Sequence, residues 1–249
     1  MKPPGSAQPW PYPRWIAHRG AGKLAPENTL AAFRFGARHG YRMFECDVKL
    51  SLDEVPFLLH DASLERTTGG KGIAGDHVWT DLAQLDAGSW HSPEYSGEPL
   101  PAFENIVRYC LQNRKDLNVE IKPTPGTEAR TGEVVANCLA SWWPVQATAP
   151  LLTSFELPAL EGAGKAQPQL PRGLLVNKWW DGWLDAAIGL ECVAVVADYR
   201  LWSETSVALA RQSGLRLLSY TVNDQDSADR LRQLGTDGII TDRVDLFTP

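Results

Sequence analysis

A chain of 249 residues is long enough to build one large hydrophobic core, so we expect a single catalytic domain over residues 1–249. The formal net charge of -6 and the pI near 5.4 exclude a general positive field that binds nucleic acid or anionic membrane. Residues 1–13 lack the apolar core of a signal peptide, and no stretch reaches the ~20 apolar residues of a membrane span. The sequence therefore predicts a cytoplasmic protein without membrane insertion, and it leaves the oligomeric state open.

Short apolar or β-branched runs recur along the chain, and most precede a segment with helical spacing. The predicted strands cover residues 15–18, 43–50, 55–60, 118–121, 151–155, 173–176, 192–197, 215–222 and 238–241. The second and third runs lie too close together for a parallel crossover, which needs about a dozen residues, so they should form an antiparallel ribbon. The remaining eight strands predict an α/β fold, a closed (β/α)8 TIM barrel.

Helices are predicted over residues 29–39, 102–112, 132–142, 203–212 and 224–234. Asn28 is expected to be the N-cap of the first helix. Gly40 and Gly214 follow two of these helices, where left-handed glycines are common. Residues 67–101 fit no barrel unit, and loops of that length are uncommon unless they are functional. We expect this stretch to be an inserted subdomain over the barrel mouth.

Polar residues concentrate at the carboxyl ends of the predicted strands, where the active sites of parallel barrels lie. They are His18, Arg19, Glu45, Asp47, Lys49, Glu120, Lys122 and Asn223. Glu45 and Asp47 point to one face because they are two apart in a strand, and Glu120 ends the next barrel strand. Such carboxylates repel one another unless a hard cation binds them, so Mg2+ or Ca2+ fits better than zinc. The alternative is a surface strand whose acidic residues pair with Lys49 and Lys122.

The ribbon should bring a second histidine to this place. A tight turn between its strands pairs residues whose numbers sum to 105, so Glu45 faces His60, within a slip of one or two residues. His18 ends another strand, and two imidazoles can supply a general base and a general acid. Arg19 and Lys122 add two cations suited to phosphate oxygens. Together these side chains favour phosphoryl transfer, without showing which histidine is the acid.

A series of short motifs runs through nearly the whole chain from residue 11 onward. They are His18-Arg19-Gly20, Pro26-Glu27-Asn28-Thr29, Glu45-Cys46-Asp47-Val48-Lys49-Leu50-Ser51, His60-Asp61, Leu64-Glu65-Arg66-Thr67-Thr68, Asp86-Ala87-Gly88-Ser89-Trp90, Glu120-Ile121-Lys122-Pro123, Ser154-Phe155, Tyr220-Thr221-Val222-Asn223 and Gly238-Ile239-Ile240-Thr241-Asp242. In this order they resemble the signature of the glycerophosphodiester phosphodiesterase family. The chain looks most like the short cytosolic bacterial form associated with glycerol 3-phosphate uptake.

The resemblance implies metal-dependent hydrolysis of glycerophosphodiesters, such as glycerophosphocholine and glycerophosphoethanolamine, to sn-glycerol 3-phosphate and an alcohol. It implies these roles: His18 and His60 as the acid–base pair; Glu45, Asp47 and Glu120 as ligands of Mg2+ or Ca2+; Arg19 and Lys122 on the phosphate; Tyr220 in the glycerol pocket; Glu27 and Asn28 as support. Attack by the glycerol 2-hydroxyl and attack by water both remain open.

Two other functions use similar residues. A phospholipase that cleaves intact lipid needs an exposed apolar rim, and a noncatalytic phosphodiester-binding module does not need two titrating histidines. Aromatic residues raise a further alternative, a cation–π site for the head group, against the commoner surface patch or core. They are Trp90, Tyr95, Trp179, Trp180 and Trp183. Cys46 should face away from the metal site, like an ordinary core thiol.

Overall fold

The structure is a computed structural model that describes residues 9–249. The strands are β1 (Trp15–Ala17), β2 (Met43–Leu50), β3 (Pro56–Leu58), β4 (Asp116–Ile121), β5 (Leu151–Ser154), β6 (Arg172–Val176), β7 (Ala194–Asp198), β8 (Arg216–Tyr220) and β9 (Gly238–Thr241). The helices are α1 (Leu30–Arg38), α2 (Trp79–Leu82), α3 (Phe103–Gln112), α4 (Glu128–Trp142), α5 (Leu157–Ala166), α6 (Trp183–Gly189), α7 (Glu204–Gln212) and α8 (Gln225–Gln233).

Eight parallel strands close on themselves. Strand β1 pairs with β2 on one side and with β9 on the other, and from β4 onward each barrel strand pairs with the next in the chain. Helices follow most of these strands and cover the outside, so both faces of each strand are buried. The predicted TIM barrel is confirmed.

Strand β3 runs antiparallel to β2, as the short connection requires. The observed pairs, such as Val48 with Leu58 and Leu50 with Pro56, have numbers that sum to 106. The predicted sum of 105 was wrong by one, because five residues rather than four form the connection. Glu54 in this connection has φ 60°, and the backbone N–H of Ser51 donates to the Val55 carbonyl. An odd-length turn with one left-handed residue shifts the register by one.

The ribbon of β2 and β3 determines where His60 lies relative to His18. Strand β1 covers only the first part of β2, where Ala17 pairs with Phe44, and β3 covers the last part, from Val48 onward. Chain leaving β3 therefore returns along the same edge of β2 to the place where β1 ends. His18 follows β1 and His60 comes two residues after β3, so both histidines line the same cavity.

The helix predictions were mostly confirmed, with one wrong cap. Thr29 caps α1, because its hydroxyl oxygen accepts from the Ala32 N–H at 3.3 Å. Asn28 precedes it with φ 60° and is not the N-cap. Gly40 and Gly214 have φ of 89° and 78° just beyond α1 and α7, as expected. Helices α5 and α6 were not predicted, and α4 begins four residues before its predicted start, at residue 128 instead of 132.

The segment between β3 and α3 has a small apolar cluster of its own. Its buried members are Phe57, Leu59, Leu64, Ala74, Leu82, Ala87 and Leu100. Contacts attach it to α1 and to the chain before α1: Glu98 Oε1 accepts from the Ala31 N–H at 2.9 Å, and a His91 ring nitrogen lies 3.0 Å from the Lys23 carbonyl oxygen. The segment thus lies at the carboxyl end of the barrel. Within residues 9–249, no helix is both long enough and apolar enough to span a membrane. The cytoplasmic location stays a prediction.

Candidate active site

Three carboxylates converge at the carboxyl ends of β2 and β4. Asp47 pairs with Glu120 in the register of these strands, and Glu45 lies two residues before Asp47. One oxygen of each carboxylate lies within 4.8 Å of the other two, and the residues are 2%, 0% and 9% exposed for Glu45, Asp47 and Glu120. All eight residues of β2 are buried, so the alternative of a surface strand is wrong. The buried triad can hold a metal ion.

The triad carries more negative charge than its surroundings balance. Burial, together with Asp47 and Glu120, raises the pKa of Glu45 well above its usual range. Burial and then Asp47 raise the pKa of Glu120 to about 7. Burial also opposes ionisation of Asp47, but Arg19 and His60 outweigh it and lower that pKa. Glu45 Oε1 and Asp47 Oδ1 are buried without a hydrogen-bond donor, which leaves two lone-pair sites for a cation.

The β1–α1 turn brings backbone and side chain to the triad. Arg19 has φ 48°, and its N–H donates to Glu45 Oε2 at 2.9 Å. Gly22 has φ 61°, and a Cβ there would lie 2.2 Å from the Asp242 Cα. Only glycine permits this backbone conformation together with so close an approach. The Gly after His18-Arg19 serves similarly, since a Cβ on Gly20 would lie 2.8 Å from the Ala32 Cβ.

His18 is held by a carboxylate from the last barrel strand. Its Nδ1 lies 2.7 Å from Asp242 Oδ1, and its Nε2 lies 3.8 Å from Glu45 Oε2. Asn223 holds Asp242 twice: its amide donates to Asp242 Oδ2 at 2.9 Å, and its side-chain oxygen accepts from the Asp242 N–H. Asp242 had no predicted role, although it directly follows β9 at the carboxyl end and the strand-end rule selects it.

His60 has a carboxylate partner as well. Its Nδ1 lies 2.7 Å from Asp61 Oδ1, and Arg66 donates to both Asp61 oxygens. Burial lowers the pKa of His60 despite the nearby Asp47. The hydrogen bonds from Arg66 hold the pKa of Asp61 well below its usual range. A carboxylate on Nδ1 fixes the ring orientation and leaves Nε2 for another partner.

The supporting residues contact the triad and Arg19. The Arg19 Nη1 donates to Glu27 Oε1 at 2.8 Å, and its Nε lies 3.3 Å from Asp47 Oδ2. Asn28 uses both ends of its amide on Asp47, donating to Oδ2 at 2.8 Å and accepting from the backbone N–H at 3.1 Å. This contact explains why Asn28 is not available as a helix cap.

A cavity of about 180 Å3 connects these groups. It is lined by His18, Arg19, Glu45, His60, Asn118, Glu120, Phe155, Leu175, Tyr220, Thr221 and Ile240. The Tyr220 hydroxyl donates to the Val176 carbonyl at 3.0 Å, and Phe155 meets the Tyr220 ring edge-on. At one side Lys122 Nζ lies 3.2 Å from Glu120 Oε1, and despite burial the Glu120 charge raises the Lys122 pKa. Polar groups thus form one wall and apolar side chains the other.

Other predicted residues lie elsewhere. Lys49 is 2% exposed, and its Nζ donates to the Lys122 carbonyl at 2.9 Å rather than to a carboxylate. Cys46 packs in the core outside the barrel, as expected. The Trp179 and Trp183 rings lie 4.4 Å apart at a tilt of 34°, and the Trp179 indole donates to the Leu201 carbonyl. Neither tryptophan is among the residues that line the cavity.

The comparisons with known proteins agree with this geometry. A model of the Glycerophosphoryl diester phosphodiesterase family matches residues 18–246. The chain belongs to this family. A glycerophosphodiester phosphodiesterase of Bacillus subtilis (strain 168) is 30% identical over 249 residues, covering 93% of this chain and 84% of the relative. A second, from Caldanaerobacter subterraneus subsp. tengcongensis, is 29% identical over 236 residues, covering 91% and 93%.

A solved structure shares the fold closely. The phosphodiesterase of Oleispira antarctica, in complex with the product sn-glycerol-3-phosphate, superposes with a TM-score of 0.88 at 33% identity, covering 92% of this chain and 93% of that one. The predicted family and enzyme class, a glycerophosphodiester phosphodiesterase, are therefore confirmed. The association with glycerol 3-phosphate uptake stays a prediction.

Proposed function

We propose that this family member hydrolyses glycerophosphodiesters with small alcohol head groups, including glycerophosphocholine and glycerophosphoethanolamine, to sn-glycerol 3-phosphate and the alcohol. The observation that carries the proposal is the cavity itself. Two histidines line it, each with a carboxylate on Nδ1, beside the acidic triad and Arg19. The Oleispira antarctica phosphodiesterase binds the product sn-glycerol-3-phosphate, which is the half of the substrate that we place in this cavity.

The cavity suits the glycerophosphate half of the substrate. Its volume of about 180 Å3 equals roughly six water molecules, which is the size of a small polar molecule. Arg19 lines the polar side, and Lys122 lies beside the cavity on Glu120, so both can bind phosphate oxygens. Phe155 and Tyr220 form the apolar side, against which the carbon atoms of glycerol can pack. In this orientation the alcohol points out of the cavity, so the site would accept head groups of different structure.

The histidines supply the proton transfers in this proposal. One imidazole removes a proton from the attacking hydroxyl, and the other donates a proton to the leaving alkoxide. Attack by water gives sn-glycerol 3-phosphate and the alcohol directly. Attack by the glycerol 2-hydroxyl releases the alcohol and forms a cyclic phosphate, which water then opens to sn-glycerol 3-phosphate. His18 and His60 both keep Nε2 free of their carboxylate partners, since Asp242 and Asp61 occupy Nδ1. Arg19 and Lys122 hold the phosphodiester still between the two rings.

Glu45, Asp47 and Glu120 would hold Mg2+ or Ca2+. Their donor set is all oxygen, and two of the oxygens are buried without a hydrogen-bond donor, as a hard cation requires. When bound there, the ion supplies positive charge to phosphate oxygens and to the group that attacks. Asn28 and Arg19 orient Asp47 and so keep the triad in place.

The reaction is tested by release of sn-glycerol 3-phosphate from glycerophosphocholine and glycerophosphoethanolamine. Chelator-stripped protein should be inactive, and Mg2+ or Ca2+ added back should restore turnover of both substrates. No sn-glycerol 3-phosphate under either ion would overturn the proposal. Turnover of intact phospholipid in its place would favour the phospholipase alternative.

The acid–base role is tested by His60→Ala with His39→Ala as the matched control. His39 is an exposed histidine at the end of α1, with a ring nitrogen 3.1 Å from the Phe35 carbonyl oxygen. We expect His60→Ala to lower kcat by about 10²–10⁴-fold at saturating metal, the usual contribution of a general acid or base. His39→Ala should keep wild-type turnover, and near-normal turnover of His60→Ala would remove His60 from the mechanism.

A further inference from the structure

The Arg66 guanidinium lies between two carboxylates and uses all three of its nitrogens on them. Its Nε and Nη2 donate to the two oxygens of Asp61 at 2.5 and 3.0 Å. Its Nη1 and Nη2 donate to the two oxygens of Glu27, both at 2.8 Å. A planar guanidinium fork fits a carboxylate in two-point contact, so both carboxylates are held in orientation as well as in position.

Each of these carboxylates also contacts a side chain that lines the cavity. Asp61 Oδ1 lies 2.7 Å from His60 Nδ1, and Glu27 Oε1 accepts from Arg19 Nη1 at 2.8 Å. A continuous line of contacts therefore joins His60 to Arg19 through Arg66. One end of the line is a proposed acid–base group, and the other end is a proposed phosphate-binding group.

We propose that Arg66 is a positioning residue for the hydrolysis, which sets the ring plane of His60 and the direction of the Arg19 guanidinium at the same time. The proposal rests on the roles given above to His60 and Arg19. Arg66 touches neither substrate nor metal ligands in this assignment. It acts only through Asp61 and Glu27, whose side chains are 28% and 12% exposed.

The charges of Asp61 and Glu27 explain why their contacts with Arg66 are needed. Without Arg66, the Asp61 carboxylate is free to rotate away from His60 towards solvent. Glu27 would keep one cation, Arg19, which also lies 3.3 Å from Asp47. Arg19 can then turn from the cavity wall towards the acidic triad. Small rotations of this kind are costly in catalysis, because reacting groups must be held close to productive geometry.

The local fold places Arg66 rigidly despite its partly exposed side chain. It lies between Leu64, which is 1% exposed in the apolar cluster of the inserted segment, and Thr68. The Thr68 hydroxyl and backbone N–H both donate to the Leu64 carbonyl, at 2.6 and 3.1 Å. The Leu64 N–H donates to the Gly72 carbonyl. The segment after β3 thus contributes to the site through Arg66.

The test compares Arg66→Met with Arg130→Met. Arg130 is the matched control, because it also makes a two-point contact with a carboxylate, Glu54, at 2.9 and 2.7 Å, and its side chain is 50% exposed against 42% for Arg66. We expect Arg66→Met to lower kcat at saturating metal about 10–100-fold, the usual range for an outer contact of a site. Arg130→Met should stay within twofold of wild type, at a comparable Tm.

Two further measurements separate positioning from a structural role. When Arg66→Met is added to the double variant Asp61→Asn and Glu27→Gln, we expect kcat to fall by less than a further threefold. The groups through which Arg66 acts are already altered in that double variant. Arg66→Lys, which keeps the charge but not the fork, should recover only part of kcat. Fully additive losses, or equal kcat losses in the Arg66 and Arg130 variants, would overturn the proposal.

An NMR measurement decides the proposal independently of turnover. The His60 ring signals, assigned with His60→Ala, should broaden or shift in Arg66→Met and stay unchanged in Arg130→Met. Unchanged His60 signals in the Arg66→Met variant would overturn positioning even if turnover falls. If wild-type protein releases no sn-glycerol 3-phosphate, the proposed function fails, while the ring signals still report whether Arg66 fixes His60.

Discussion

At the scale of single residues, the pairing of His18 with Asp242 makes a direct prediction. Asp242→Asn keeps the shape of the side chain but removes the charge that fixes the Nδ1 hydrogen of His18, 2.7 Å away. We expect kcat to fall about 10–100-fold with the fold retained. Steady-state kinetics at saturating metal measures kcat, and a thermal melt shows whether the fold is retained.

Asp237→Asn is the matched control for this prediction. Asp237 stands at the other end of β9, with a side chain 11% exposed against 12% for Asp242, and it also accepts from a backbone N–H, that of Leu217. Its partner is Arg216 rather than a histidine of the cavity. We expect a lower Tm and unchanged kcat. A loss of kcat in Asp237→Asn as large as in Asp242→Asn would contradict the role of Asp242.

The residues that contact the cavity could be predicted, but the contacts that Asp242 and Arg66 make behind them could not. His18 and Glu120 lie at strand ends, where local sequence and the barrel rule together locate them. Glu45 lies within β2, directly after the residue that pairs with the end of β1. Asp242 meets His18 across 224 positions of the chain, and Arg66 meets Glu27 across 39. Nothing in local periodicity records such contacts, because they depend on closure of the barrel and on the path of the segment between β3 and α3.

At the scale of elements, the β1–α1 turn tests how backbone shape supports the site. Gly22→Ala places a methyl group 2.2 Å from the Asp242 Cα, so the chain after β9 must move away from His18. We expect both Tm and kcat to fall, with kcat reduced more than tenfold through the loss of the His18–Asp242 contact. Melting curves and kinetics on the same preparation give the two losses.

Gly182→Ala separates the clash from ordinary backbone strain. Gly182 also has positive φ, 91°, but a Cβ there meets nothing within 4 Å. Strain alone should cost about 1–2 kcal/mol of stability, and kcat should be unchanged. If both alanine variants lose activity to the same extent, contact between Gly22 and Asp242 is not the cause.

The limits of element prediction have particular causes here. Strand β2 was predicted at its observed bounds because apolar and polar residues alternate from Phe44 to Leu50. The register of the ribbon depended on Glu54, whose left-handed conformation is invisible in the sequence pattern. Asn28 has the composition of a cap, but Asp47 takes its side chain, so Thr29 caps α1 instead. Local turn geometry decided the register, and a tertiary contact decided the cap.

At the scale of the whole molecule, the buried triad links stability to pH and to metal. The folded pKa of Glu120, about 7, lies above its ordinary value of 4.5, so the folded chain binds the extra proton between these pH values. Its contribution to stability is therefore present at low pH and is lost as pH rises through 7. Asp47, whose pKa is lowered, carries negative charge that a cation bound by the triad would balance.

Glu120→Gln in chelator isolates this effect, because it removes one charge of the triad and leaves the other titrating groups in place. We expect its Tm to exceed that of wild type by a few degrees at pH 8, since about 1 kcal/mol shifts Tm by roughly 2–4 °C in a chain of this size. The difference should vanish near pH 5, where wild-type Glu120 is protonated. Added Mg2+ or Ca2+ should make wild type the variant with the higher Tm at pH 8, because wild type binds the ion more tightly.

Glu161→Gln is the control, because Glu161 is an exposed residue of α5 that pairs with Lys165. Its Tm difference from wild type should show no such pH dependence. A Glu120→Gln variant that melts lower than wild type at every pH in chelator would mean that the three carboxylates do not repel one another.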